Sequence, residues 1–166
     1  MRTSNIPATP ALLLAVTILT GCPNRTAEGP AFSTVARDDL VVTLRADRRT
    51  ARVGDTLALT IEATNPRRGD LLIESSTANP VVVTVWRYDA VAAWKRAMVF
   101  PPAPLRQYTA WVLEGKDTRT VTISLPIEPG WPLLETLKVT AELSGRPDVR
   151  PHVFLTVEPD DADPQD

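Results

Sequence analysis

Few side chains in this sequence have the chemistry of a catalyst or a metal ligand. The chain has one cysteine, Cys22, and one histidine, His152. A single cysteine excludes a disulfide within the chain, and one residue of each type excludes a metal site built from several cysteines and histidines. A catalytic triad needs a base beside a nucleophile and a third group that orients the base. Because nothing around His152 supplies these groups, we expect a surface histidine and no catalytic residues.

The carboxylates offer no better site. Carboxylate pairs such as Asp38/Asp39, Glu114/Asp117 and Asp160/Asp161 occur in expected turns or tails. Glycoside hydrolysis needs two carboxyl groups facing each other across ~5–10 Å in a cleft. No loop has the alternating Asp/Asn spacing of a calcium loop, and the seven glycines form no phosphate-binding loop. The sequence therefore predicts a protein that is not an enzyme and holds no metal or other cofactor.

The aromatic side chains are the candidates for a binding surface. Exposed tryptophans act as sugar-binding platforms or as hot spots of protein interfaces, although β-sandwiches also bury tryptophan. Trp131 stands between a glycine and a proline in a turn, which makes it the first candidate for an exposed ring. Trp86 and Tyr88 share one face of a predicted strand, and Trp94 follows closely. That face is either a second core layer or an exposed aromatic strip.

Charge limits the range of partners. The 166-residue chain has a net charge of −2, so it lacks the basic footprint of a nucleic-acid-binding protein. Four arginines do cluster, at Arg45, Arg48, Arg49 and Arg52. They could meet anionic lipid headgroups, peptidoglycan or an acidic protein. We favour a solvated loop, because acidic residues are interspersed among them.

The N-terminus has the layout of an export signal. One cation, Arg2, precedes an apolar run, Ala11–Leu19, that is too short to span a bilayer of ~30 Å as a helix. The run leads into Leu19, Thr20, Gly21 and Cys22. This sequence resembles the bacterial lipobox, in which an aliphatic residue and two small residues precede the cysteine. The resemblance implies lipidation of the Cys22 thiol and cleavage before it, which would anchor the protein to a membrane.

The order of segments follows from this interpretation. Residues 1–21 are the signal peptide, 22–37 are the lipidated cysteine with a flexible tether, 38–158 are the folded domain and 159–166 are an acidic disordered tail. Pro23 stands where an Asp would favour retention in the inner membrane. The expected location is therefore the outer membrane, at its periplasmic face or at the cell surface.

The pattern of the domain between the tether and the tail predicts β-strands. Side chains alternate apolar and polar in five runs, at Leu40–Arg45, Leu57–Thr64, Val121–Leu125, Leu137–Leu143 and Val153–Glu158. Less regular runs are Leu71–Glu74, Val81–Tyr88 and Tyr108–Leu113, and Val91–Phe100 is either a strand or a single helical turn. The 16 prolines, about twice the usual share of ~5%, argue against long helices. The sequence predicts an all-β, immunoglobulin-like antiparallel sandwich of seven to nine strands.

Two stretches add a family resemblance. Gly54–Pro66 resembles the second strand of bacterial Ig-like domains, which end in an Asn-Pro turn. Val83–Asp89 followed by Trp94, and Val112–Ile123 with its turn, are similar to the intracellular proteinase inhibitor (BsuPI-like) family. This chain has Glu114 where that family usually has proline, and it carries an export signal. The resemblance implies the fold, and it suggests proteinase inhibition without supplying inhibitory residues.

These observations give one functional prediction and two alternatives. We expect a lipid-anchored envelope protein whose domain is a non-catalytic protein-binding or structural module with an envelope protein as partner. Proteinase inhibition is suggested by the family resemblance, and carbohydrate binding by the tryptophans.

Overall fold

The strands alternate inward and outward side chains, and the inward ones form a single core. The computed structural model describes residues 29–102 and 106–160. Its strands are β1 (Ala31–Arg37), β2 (Leu40–Ala46), β3 (Thr50–Arg52), β4 (Thr56–Thr64), β5 (Leu71–Thr77), β6 (Val81–Asp89), β7 (Ala93–Phe100), β8 (Arg106–Leu113), β9 (Thr118–Pro126), β10 (Thr136–Leu143) and β11 (His152–Glu158). The all-β sandwich is confirmed, with eleven strands in these ranges rather than seven to nine.

Two sheets and a ribbon make up the sandwich. The first sheet has the order β1-β2-β4-β9, the second has the order β3-β11-β10-β6-β7, and β5 with β8 forms a two-stranded ribbon. All pairs are antiparallel except β3 with β11. Alternate residues of β4 (Leu57, Leu59, Ile61) and of β10 (Leu137, Val139) are buried in the same core. That burial of one face per strand explains the period of two in the sequence.

The first strand corrects one predicted boundary. Residues 31–37, expected in the tether, form β1 and pair with β2 along their whole length. The side chains that turn inward are Ala31, Ser33 and Val35. A small residue and a polar residue on the inner face hide the alternation that a buried strand normally displays. The sequence pattern therefore gave no sign of this strand.

Strands β7 and β3 complete the second sheet. Val91–Phe100, for which the sequence allows a strand or a single helical turn, contains β7. The three residues of β3 were not predicted, and they add a parallel edge to β11. Such a short strand has too few residues for a period to be recognised.

Candidate binding surface

Pairing across the second sheet brings aromatic side chains onto its outer face. Residues paired across neighbouring strands lie on the same side of a sheet. Trp86 of β6 pairs with Lys138 of β10, and Lys138 pairs with Phe154 of β11. Tyr88 pairs with Trp94 of β7. His152 of β11 pairs with Thr140 of β10 and lies on the same side of the sheet as Phe154. We call the five residues Trp86, Tyr88, Trp94, His152 and Phe154 the aromatic face.

A β-bulge in β7 decides the position of Trp94. Phe100 and Met98 pair with core residues of β6, so strict alternation would turn Trp94 toward the core as well. Val85 pairs with Met98, but the next residue, Trp86, pairs with Arg96. Ala97 therefore has no partner on β6 and is an extra residue in β7. An extra residue reverses the faces of the strand beyond it. The bulge therefore places Trp94 on the outer face beside Tyr88.

Four of the five rings of the aromatic face contact one another in a continuous cluster. Tyr88 and Trp94 are edge to face with centroids 5.8 Å apart, and Trp94 lies 5.8 Å from Phe154 at a tilt of 37°. His152 meets Phe154 edge to face at 5.3 Å. Tyr88 remains 63% exposed and Phe154 46% exposed. Large rings left this open to solvent on a rigid sheet are a feature of interaction surfaces.

Polar contacts fix one end of the cluster. The Trp86 indole Nε1 donates to Thr140 Oγ1 at 3.0 Å, and that hydroxyl lies 3.4 Å from the Thr84 carbonyl. A depression of about 270 Å³ opens here, with Trp86, Trp94, Lys138, Thr140, Arg150 and His152 around it. Arg150 is held by Glu142, with Nε 2.8 Å from a carboxylate oxygen. The Trp86 ring is therefore anchored, which lowers the entropy that binding would cost.

Positive charge borders the aromatic face. Lys138 Nζ lies 5.4 Å from the centroid of the Trp94 ring, a cation–π arrangement. Arg96 is exposed and pairs across from Trp86. Within residues 29–102 and 106–160, neither Lys138 nor Arg96 forms an ion pair. The surface is therefore complementary to a partner that is acidic as well as apolar.

Trp131, the first candidate from the sequence, is not part of a binding surface. Its side chain is only 4% exposed, so the expectation of an exposed ring is wrong. The backbone N–H of Trp131 donates to the Glu128 carbonyl at 3.3 Å, and Gly130 has φ +109°, so the turn folds back on itself. The ring then stacks on Phe100 with centroids 6.0 Å apart. It closes one end of the core instead of facing solvent.

Among the polar candidates, His152 belongs to the aromatic face, whereas Asp39 and three of the four clustered arginines form ion pairs within the protein. His152 is exposed, as predicted. Asp39 accepts two hydrogen bonds from Arg146 at 2.9 and 3.0 Å, and these hold the pKa of its carboxyl below its usual value. Among the described residues, no group of three acidic, cysteine or histidine side chains could hold a metal ion. In the arginine cluster, Arg45 lies in β2 and pairs with Glu62 of β4 at 3.7 Å, and Arg52 lies in β3. Only Arg48 and Arg49 lie in the exposed loop between β2 and β3, where Arg48 pairs with Asp55 at 3.4 Å.

The lipidation prediction concerns another part of the chain. Leu19, Thr20, Gly21 and Cys22 lie outside the described residues, as does most of the predicted tail. In the ranges that are described, no helix has the length and apolar character needed to cross a membrane. The signal peptide, the anchor and the envelope location therefore stay predictions.

Comparisons with known proteins place no function on the chain. No protein-family model matches it, and no curated protein matches it. It is similar to the sporulation control protein Spo0M of Bacillus subtilis, with 10% identity and a TM-score of 0.49 over 74% of this chain and 50% of that one. It is also similar to a β-glucosidase of Listeria innocua, with 13% identity and a TM-score of 0.42 over 80% of this chain and 16% of that one. The alkylpurine DNA glycosylase AlkC of Pseudomonas fluorescens gives 10% identity and a TM-score of 0.43 over 66% and 28% of the two chains.

The chain spans half of Spo0M and smaller shares of the two enzymes. Likenesses of this strength carry no conclusion about activity, ligand or partner.

Proposed function

We propose that this protein is a lipid-anchored component of a bacterial envelope and that its sandwich is a non-catalytic protein-binding module. The aromatic face is its contact surface. The observation that carries the proposal is the cluster of four aromatic side chains from three strands, Tyr88, Trp94, His152 and Phe154, on the outer face of the second sheet beside Trp86. The lipid anchor rests on the sequence around Cys22.

The geometry of the rings favours a protein partner over a sugar. A sugar ring stacks best on one flat aromatic surface or on a coplanar row. Here Tyr88 and Trp94 are at 84° to each other, and Trp94 and Phe154 are at 37°. A protein side chain can insert between rings at such angles, and aromatic residues flanked by cations are typical of protein hot spots. Lys138 and Arg96 select for carboxylates at the border of the contact.

The experiment is recovery of partners from intact cells. The tagged full chain is cross-linked in the envelope, and the attached proteins are identified for the wild type, for Tyr88→Ser and for Phe154→Ser. Phe32→Ser is the matched control, because Phe32 is equally exposed (67%) but lies on the outer side of the first sheet. We expect one envelope protein to be recovered with the wild type and the control, and to be lost with the two variants of the aromatic face.

Other results would support proteinase inhibition or carbohydrate binding instead. A protease recovered in the same way would support proteinase inhibition, which remains a prediction from the family resemblance. Quenching of tryptophan fluorescence by oligosaccharides, abolished by Tyr88→Ser, would support carbohydrate binding. If recovery is the same for all four proteins, the aromatic face is not the contact surface.

A further inference from the structure

The sandwich is open along one side, between β8 and β9. Within the described ranges, β9 pairs only with β4 and β8 pairs only with β5. The two strands leave from one point, because Asn65 Nδ2 donates to the Leu113 carbonyl and the Asn65 N–H donates to the Asp117 carbonyl, both at 3.0 Å. Beyond this point β8 joins the ribbon and β9 joins the first sheet. The strands therefore separate and leave a gap in the wall of the sandwich.

The gap leaves apolar side chains at the margin of the core only half-buried. A cleft of about 390 Å³ lies between the strands, lined by the half-buried Trp111 and Val121 with the buried Ile61 and Leu143 behind them. A second cleft of about 320 Å³ follows along β9, and it shares Pro80 and Val121 with the first. Val121 pairs with Ile61, yet Ile61 is fully buried while Val121 is only half-buried. An additional strand over this side would complete the burial.

The free edge of β9 presents a regular row of backbone groups. Ile127, just beyond β9, donates its N–H to the Asp55 carbonyl and accepts from the Gly54 N–H, both at 2.8 Å. Its backbone therefore points toward β4. Because the register from Thr118 to Pro126 is unbroken, alternation turns the backbone of Thr120, Thr122 and Ser124 away from β4. Pro126 has the same parity, and proline is tolerated where a strand N–H has no partner strand.

Two donors at the cleft, Trp111 Nε1 and the Arg119 guanidinium, have no protein acceptor among residues 29–102 and 106–160. The Trp111 Nε1 atom is buried and makes no hydrogen bond within the described part of the chain. The Arg119 guanidinium lies 5.3 Å from the Trp111 ring centroid, and no carboxylate among those residues pairs with it. A buried N–H without an acceptor costs stability. The exposed Arg119 guanidinium is open to a carboxylate from a ligand, whereas the buried Trp111 Nε1 is not accessible to one.

We propose that an extended acidic peptide of a partner protein docks in this cleft as an added strand along β9. Only a peptide backbone repeats donors and acceptors at the spacing of a strand, and strand addition is a common mode of peptide recognition. The peptide places its apolar side chains in the two clefts, its backbone on Thr120, Thr122 and Ser124, and a carboxylate beside Arg119. This site lies at the edge between the sheets, so it is independent of the aromatic face.

The probe is a synthetic peptide that alternates valine and threonine and ends in aspartate. The comparison peptide ends in lysine. Binding to the full chain is measured by fluorescence anisotropy, and amide hydrogen exchange is followed by NMR. We expect the acidic peptide to bind about tenfold more tightly, a difference of about 1.4 kcal/mol. The amides of Thr120, Thr122 and Ser124 should exchange quickly alone and at least about tenfold more slowly with peptide, as hydrogen-bonded amides do.

Variants test separately the charge of Arg119, the space in the cleft and the independence of this site from the aromatic face. Arg119→Glu should reverse the preference between the two peptides, whereas Arg49→Glu, the same charge change on an exposed loop far along the chain, should not. Ala110→Phe adds bulk at an exposed position that lines the cleft and should weaken both peptides. Tyr88→Ser should leave peptide binding unchanged, which distinguishes failure of this proposal from failure of the aromatic face.

Three results would overturn the proposal. The first is unchanged exchange at the three β9 amides with either peptide. The second is equal affinity for the acidic and basic peptides. The third is protection of these amides without peptide in a dimer that dissociates on dilution, because a second copy of the chain would then cover the cleft.

Discussion

Asn65 is expected to be the most sensitive polar residue of the fold. It is fully buried where β4 ends. Its Nδ2 donates to the Gly69 carbonyl at 2.8 Å and to the Leu113 carbonyl at 3.0 Å, and its Oδ1 accepts from the Arg67 N–H at 2.9 Å. One amide thus joins the loop after β4 to the end of β8. Asn65→Ala removes all three hydrogen bonds.

The expected loss of stability in Asn65→Ala follows from these three hydrogen bonds. Each hydrogen bond contributes about 0.5–1.5 kcal/mol net, and a buried carbonyl left without a donor costs more. The Leu113 carbonyl bond is buried, while the other two are partly buried and can be replaced by water. We expect Asn65→Ala to lower the free energy of unfolding by about 3 kcal/mol. Urea denaturation of the full chain, followed by tryptophan fluorescence, measures this loss.

Two companion variants sharpen the test. Thr64→Ala removes an exposed hydroxyl pair with Thr118 at 2.8 Å, and should cost less than about 1 kcal/mol. Asn65→Asp places a carboxylate against two carbonyl oxygens, so it should be worse at pH 7 than at a pH where the carboxyl is protonated. An Asn65→Ala protein within about 0.5 kcal/mol of wild type would refute the reasoning, because that is the range of neutral surface substitutions.

Three further predictions follow from other sites. The hydrogen bonds from Arg146 lower the pKa of Asp39, so their stabilisation is fully present above the usual value of 3.8 and is lost as the pH falls through the lower folded pKa. Asp39→Asn should lower the free energy of unfolding by about 1 kcal/mol at pH 7. The variant should also lose less stability than the wild type as the pH falls, which urea titration at several pH values measures. Gly145→Ala should lower the free energy of unfolding by about 2–4 kcal/mol in the same assay, because φ is +91° and a Cβ would lie 1.9 Å from a backbone carbonyl oxygen of β5. Gly69→Ala is the control: its Cβ would meet nothing within 4 Å, so the stability should be nearly unchanged. Cys22→Ser should abolish incorporation of labelled palmitate and release the protein from the membrane fraction, and a variant that still takes up label would contradict the lipobox interpretation.

The sequence predicts most of the strands because one face of each is buried. The alternation in β4, β10 and β11 is regular, and these strands are observed close to their expected bounds. It does not predict β1, because the inward positions hold Ala31, Ser33 and Val35. A period of two becomes visible only when the inner residues are large and apolar.

The binding surface was predictable in part. The spacing of Trp86 and Tyr88 predicts that they share one face of β6, but it does not distinguish a core layer from an exposed strip; the structure has them on the outer side. Phe154 occupies the polar side of β11, a signal visible in the sequence. The position of Trp94 depends on the bulge at Ala97, which no local pattern reveals. The burial of Trp131 depends on Phe100, a contact between distant parts of the chain. Tertiary contacts of this kind decide the exposure of an aromatic ring, so spacing alone cannot.

The central claim is that the aromatic face contacts a protein, and photo-cross-linking from inside that face tests it most directly. A photoreactive phenylalanine analogue replaces Tyr88 in the full chain, and a second protein carries it at Phe32 as the control. Irradiation of cells should give one discrete cross-linked protein from position 88 and none from position 32. The same adduct from both positions, or none from position 88 while the protein remains folded, would contradict the account.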